Sequence, residues 1–150
     1  MEFSTINGLK KEINRRIDLA VENTIQELKD ILKDTIDEYF YSQYTPKYYN
    51  RTWKLLNSCA YKMLGKGVGS VYLDRRGKYS NGNLLSEVQE SAAEGYHGLD
   101  AGIQTEGRFW EKFKELIYNE GLDILEKHLI SQGFELERNS KYLIESGLDF

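Results

Sequence analysis

Residues 9–41, LKKEINRRIDLAVENTIQELKDILKDTIDEYFY, decide the fold. Apolar side chains fall at Leu9, Ile13, Ile17, Val21, Ile25, Leu28, Leu32 and Ile36, then at Tyr39 or Phe40. Steps of three and four place them on one face of an α-helix. Neither glycine nor proline interrupts the run after Gly8. The spacing therefore predicts one amphipathic helix over 9–41, roughly 50 Å long at about 1.5 Å per residue. A compact chain of this size has a diameter of roughly 38 Å. Such a helix overhangs its own domain, breaks, frays at its N-terminal end, or packs on another subunit.

Outward from that helix the chain changes character. Tyr39, Phe40, Tyr41, Tyr44, Tyr48, Tyr49 and Trp53 crowd the next stretch, and Thr45-Pro46 is expected to end the helix because proline disfavours the α conformation in the residue before it. Ser58–Leu64 and Val68–Leu73 read as two strands of a hairpin joined by Gly65-Lys66-Gly67. Residues 74–83 form a polar loop rich in turn residues, expected to be flexible, and 84–94 a short helix that Gly95 would stop. Residues 96–105 read as a glycine-rich connector. A second amphipathic helix is expected over 106–131, with Thr105 as N-cap, Glu106 in its first turn and Gly133 as its stop. Phe134–Leu136 would add a short strand, and the tail after Arg138 is expected to order only on a partner. The fold class is thus α+β: a long N-terminal helix and a second long helix packed on a small antiparallel β-sheet. The expected organisation is one α+β domain over 1–136, followed by a C-terminal tail or extension over 137–150.

Composition narrows the function classes. The chain has 150 residues, 40% hydrophobic and 29% charged, which suits one core and is too polar for a membrane protein. No apolar run approaches the roughly 20 residues a membrane span needs, and the opening residues carry no signal-peptide pattern. A lone cysteine, Cys59, excludes an internal disulfide and a cysteine-rich zinc site and fits a reducing compartment. The net charge of −4 conceals a pattern: residues 1–44 carry −3, residues 45–80 carry +7, and residues 81–150 carry −8. The basic centre comprises Lys47, Arg51, Lys54, Lys62, Lys66, Arg75, Arg76 and Lys78, opposed by Asp74 alone. A basic segment between acidic flanks suits nucleic acid or the acidic face of an identical neighbour, and solvated side chains without a partner are the bland alternative. Tyrosines and a tryptophan among those cations suit base stacking, a protein interface or a packing corner.

Signs of covalent chemistry are sparse. His97 and His128 have no metal-ligand spacing around them. His97 and Asp100 lie close in sequence but lack a nucleophile elbow. Gly65–Ser70 lacks the phosphate-loop pattern and precedes a strand, not a helix. Cys59, in an apolar strand, is expected to be buried and inert. The expectation is a non-enzyme with no cofactor and no metal.

Two segments resemble tailed-bacteriophage neck proteins, the tail-completion or head–tail joining family of minor structural proteins. One is Tyr44-Thr45-Pro46-Lys47-Tyr48-Tyr49-Asn50-Arg51-Thr52, followed by Leu55-Leu56-Asn57-Ser58. The other is Tyr96-His97-Gly98 with Ile103-Gln104-Thr105-Glu106-Gly107-Arg108-Phe109-Trp110. The resemblance spans residues 9–136, and the extension after Leu136 departs from it. It implies a virion protein of the neck, assembled in the host cytoplasm as a homo-oligomeric, hexameric ring between capsid and tail. Its implied partners are a head–tail adaptor or portal-side neck protein and a tail terminator or tail tube protein. DNA would pass through the lumen without sequence-specific binding, and no membrane is involved. The expected interface residues are Tyr44, Tyr48, Tyr49, Arg51, Lys54, Arg75, Arg76 and Lys78. The alternative is a nucleic-acid-binding module using the basic aromatic segment 44–80. A small hydrolase built on His97 is the third reading.

Overall fold

A computed structural model describes residues 4–46, 51–96 and 107–137. In chain order the elements are α1 (Ile6–Tyr39), a 3-10 turn (Tyr41–Gln43), α2 (Lys54–Asn57), β1 (Cys59–Gly65), β2 (Val68–Leu73), α3 (Leu85–Ala93) and α4 (Phe109–Ser131). Two long helices and a two-stranded antiparallel hairpin make the fold α+β, as the periodicity predicts.

The boundaries differ from expectation for local reasons. Helix α1 has 34 residues and begins at Ile6, not Leu9. The Thr5 hydroxyl accepts the Gly8 N–H at 3.1 Å, capping an otherwise orphaned donor and extending the helix through Gly8. The helix ends at Tyr39, well before Pro46. Phe40 leaves helical geometry at φ −132°, and the chain closes into the 3-10 turn. Lys54–Asn57, between the aromatic-rich stretch and the hairpin, folds as the short helix α2. Helix α4 starts at Phe109 and not at 106, because Gly107 and Arg108 both take left-handed backbone, at φ 58° and 55°. Thr105 and Glu106 lie outside the described residues. Gly133 does stop α4: at φ 90° it donates to the Ile130 carbonyl, and Phe134 donates back to the Leu129 carbonyl. That cap replaces the strand expected over 134–136, where the structure has no strand. The 74–83 loop is built of turns: Arg76 N–H donates to the Asp74 side chain at 3.0 Å, Tyr79 N–H donates to the Asn83 carbonyl at 2.9 Å, and Lys78 bridges Leu84.

The chain divides into two compact units. The first holds residues 1–28, 61–71 and 116–150, and the second holds 29–60 and 72–115. In the first unit, β2 lies on α1. Gly69 is the point of closest approach: a Cβ there would sit 2.7 Å from Ile25 Cδ1 and 2.9 Å from its Cγ2. The hairpin turn is tied down where Gly67 N–H donates to Asp18 Oδ1 at 2.6 Å. On α4, Lys127 Nζ and His128 Nε2 meet the Glu27 carboxylate at 2.7 and 2.6 Å. The Lys127 hydrogen bond, then the His128 bond, hold the Glu27 carboxyl below its ordinary range against partial burial. Farther along, Arg16 Nη1 donates to the Gln132 carbonyl at 3.3 Å, so α4 runs antiparallel to this part of α1.

The second unit carries the largest fully buried side chains: Phe109, Phe113, Leu32, Ile36, Leu55 and Gln89. Gln89 is the polar exception. Its Nε2 donates to Ser58 Oγ at 3.1 Å and to the Asp74 carbonyl at 2.8 Å, while Ser58 Oγ donates to the Leu55 carbonyl at 2.5 Å. One buried amide thus pins α3 to α2 and to the base of the hairpin, where Asp74 N–H also donates to the Ser58 carbonyl at 2.7 Å. Gly107 packs backbone on backbone. A Cβ there would lie 2.5 Å from the Gly95 nitrogen, and its own N–H donates to the Tyr39 carbonyl at 3.0 Å.

The glycine contacts give a ranked expectation for thermal unfolding. Gly107→Ala meets immovable backbone at positive φ and is expected to cost about 3 kcal/mol or more. Gly69→Ala meets an isoleucine that must shift, costing about 1–3 kcal/mol. Gly65→Ala has open space around it and is expected to stay within about 0.5 kcal/mol.

Candidate interaction site

Among the described residues, those expected to form an interface sort into two clusters, both in the second unit. The first is built around Arg51. Its Nη2 donates to the Tyr41 carbonyl at 2.6 Å and also to the Tyr44 carbonyl. Its guanidinium lies 5.2 Å from the Tyr41 ring centroid and 5.4 Å from that of Trp53, and those rings are 4.8 Å apart. The 3-10 turn Tyr41–Gln43 lies here, and Arg51 donates to the carbonyl of its first residue and to that of Tyr44 just beyond it. A planar guanidinium satisfies two neighbouring carbonyls while presenting its faces to aromatic rings, which an ammonium does not do.

Trp53 is the unusual member. It has φ 59°, a left-handed conformation that bulky residues avoid at a cost of about 1–3 kcal/mol. Its carbonyl accepts the Asn57 N–H at 2.9 Å and so starts α2. Its ring remains 40% exposed. Burial of apolar surface therefore does not account for the strained placement. Tyr41 and Tyr44 are buried beneath.

The second cluster joins Lys54 to the turn. Lys54 Nζ donates to the Lys78 carbonyl and lies 5.1 Å from the Tyr79 ring centroid. Arg75 pairs with Glu90 across to α3. Arg76 pairs with Asp74 at 2.7 Å, and its hydrogen bonds pull the Asp74 carboxyl down to about 2. The Lys78 side chain belongs to an exposed residue. Lys47, Tyr48 and Tyr49 lie outside the described residues, as do His97 and Asp100.

Four of the eight residues of the predicted basic centre are thus engaged within the fold. Arg51 and Lys54 satisfy carbonyls, and Arg75 and Arg76 each face a carboxylate. Composition counted Asp74 but placed Glu90 in the acidic tail segment, since a tertiary contact across α3 leaves no mark in local charge. Trp53 and Tyr41 were visible only as aromatics, and Tyr79 only as a member of the polar 74–83 loop.

Other chemistry is quickly described. Among the described residues no group of three or more His, Cys, Asp and Glu is placed to hold a metal ion. An open pocket of about 570 Å³ in the first unit is lined by Arg15, Asp18, Leu19, Glu22, Met63 and Lys66, among others. No helix among the described residues is long and apolar enough to cross a membrane. Cys59 is buried, and burial pushes its thiol up to about 12, with nearby Lys33 and Lys29 opposing the shift.

Two outcomes are expected. At pH 8 the folded Cys59 holds about one thiolate in ten thousand, so a disulfide reagent should label the native protein at least about 100-fold more slowly than the guanidinium-unfolded protein. Arg51→Lys loses the planar group that sits beside the Tyr41 and Trp53 rings while bonding two carbonyls, and is expected to lower stability by about 1–2 kcal/mol in thermal or urea unfolding, whereas Lys78→Ala keeps the carbonyl Lys54 uses and should change it by less than about 0.5 kcal/mol.

No curated protein and no solved structure matches the chain. A family model described as YomN matches residues 5–131, from the Thr5 cap to the last residue of α4, and its name is phage-derived, which suggests a phage-associated protein. With that match covering all seven elements, the chain belongs to the YomN family.

Proposed function

We propose that this protein is a structural subunit of the phage virion, working at the neck as a ring that joins head to tail. In this proposal it carries out no covalent chemistry. DNA passes through the ring without being read, and the adjoining partners are a portal-side neck protein and a tail-side protein.

The observation that carries the proposal is the Trp53 platform. A tryptophan is held at positive φ, supported from below by Arg51 and Tyr41, with 40% of its surface exposed. Strain of this kind persists where surrounding structure fixes it, and it collects at functional surfaces. Tryptophan, tyrosine and arginine are also the side chains that most often anchor protein interfaces. The engagement of Arg51, Arg75 and Arg76 inside the fold favours protein contact over nucleic acid, because phosphate affinity grows with each cation free to release counterions. A conduit for moving DNA also benefits from weak attraction to phosphate.

Trp53→Gly relieves the backbone strain while deleting the exposed anchor. The expected result is a monomer of unchanged or slightly higher thermal stability that fails to enter phage particles and fails to sediment as an assembly with its neck partners. Normal incorporation of the variant would overturn the proposal. A second measurement addresses nucleic acid: fluorescence anisotropy with duplex DNA near 50 mM salt should show no saturable binding, and tight binding with a steep salt slope would favour the nucleic-acid module.

A further inference from the structure

We propose that the N-terminal stripe of α1, Ile6, Leu9 and Ile13, docks on the outer face of α4 of a second copy of this chain, around Tyr118 and Leu122. Ile6, Leu9 and Ile13 are 73%, 40% and 37% exposed. At about 100° per residue these three and Ile17 fall within a sector of about 80°, so they form one face. Ile17 sits under the hairpin turn, 3.6 Å from where a Gly67 Cβ would be. Arg16 donates to the Gln132 carbonyl, just past the end of the antiparallel α4. The stripe therefore lies beyond the elements that cover the rest of this face, on the last 15 Å or so of α1.

The same unit exposes a second apolar surface, on α4. Tyr118 and Leu122 stand one turn apart and are 67% and 43% exposed, and Ile130, two turns further, is 53% exposed. The inner side of α4 is engaged. Ile124, about 160° around the helix from Leu122, is buried, and Lys127 and His128 hold Glu27 of α1. Within one chain α1 thus occupies the opposite side of α4, and its stripe runs on past the end of that helix. The two exposed surfaces cannot meet in one molecule, but they can meet between two.

Charge selects this pairing over the alternatives. Residues 6–16 carry Lys10, Lys11, Arg15 and Arg16 against Glu12 alone. Glu12 is held by Arg15 and Arg16 at 2.7 and 2.9 Å, whereas Lys10 and Lys11 are exposed and in no ion pair among the described residues. Residues 116–137 carry Glu120, Asp123, Glu126, Glu135 and Glu137 against Lys127 alone, and Glu27 holds that lysine. Stripe on stripe would set like charges together, as would α4 on α4, and such juxtaposition is costly. Stripe on α4 brings a basic surface to an acidic one with apolar side chains at the centre of both. The contact is heterologous: each copy offers its stripe to one neighbour and its α4 to another, which closes a ring where the rotation allows. Trp53 belongs to the second unit and has no part in this contact, so the two proposals fail separately.

Sedimentation equilibrium of the isolated full chain tests it without phage particles. A contact of a few apolar side chains is small, so the protein is measured from about 10 to about 500 μM, where its average mass should rise with concentration. Leu9→Asp and Leu122→Asp should each remain monomeric, with the circular dichroism of the parent. Their equimolar mixture has one intact stripe and one intact α4 face, and should form dimers and nothing larger. A parent chain that stays monomeric throughout would overturn the proposal. So would either variant associating like the parent, or a mixture that stays monomeric. Lys10→Glu with Lys11→Glu alters only exposed side chains and keeps the test sound if an aspartate variant misfolds. It should weaken association at least about tenfold, and unchanged association would contradict the docking.

Discussion

The structure depends on covering one long helix. Helix α1 has 34 residues and presents apolar side chains along its whole length. Each turn left bare forfeits burial worth about 25 cal/mol for every Å² of apolar surface. The remaining elements are means of providing that cover. The hairpin does it through Gly69, whose missing side chain admits Val21 and Ile25. Helix α4 does it through the Glu27 ion pairs and the Arg16 contact. In the second unit Leu32 and Ile36 are fully buried. At the N-terminal end the described elements leave Ile6, Leu9 and Ile13 exposed.

Where α1 ends, a second constraint takes over. In the turn that follows, a single arginine donates to the Tyr41 and Tyr44 carbonyls and stacks with the Tyr41 and Trp53 rings. That local solution converts what composition presents as a cationic patch into an aromatic one. Arg75 and Arg76 complete the conversion by facing Glu90 and Asp74. The surface that results is suited to protein contact, and its strained tryptophan is the feature hardest to explain by stability alone.

Much of the fold was legible in residue spacing. The three-and-four rhythm from Leu9 to Ile36 gave α1, the Gly65-Lys66-Gly67 turn gave the hairpin, and Gly133 gave the end of α4. What was hidden depends on contacts distant in sequence. Nothing local tells that Arg51 will bond the Tyr41 and Tyr44 carbonyls, that Trp53 will take left-handed backbone, or that Gln89 on a short amphipathic helix will be a fully buried staple. The expected start of α4 failed because Gly107 is needed for a backbone approach to Gly95, and that approach breaks the helix before Phe109. The site was visible as a list of basic and aromatic residues, but its balance of charge was not, since Glu90 reaches Arg75 only through the tertiary fold.

The central claim is that this YomN-family protein works by holding neighbours in a phage particle. Electron cryomicroscopy of intact particles from a phage that encodes it tests this most directly. The account predicts several copies arranged around the axis between capsid and tail, each with Trp53 buried against an adjoining subunit. Particles that lack the chain altogether, or that carry it with Trp53 exposed to solvent, would contradict it.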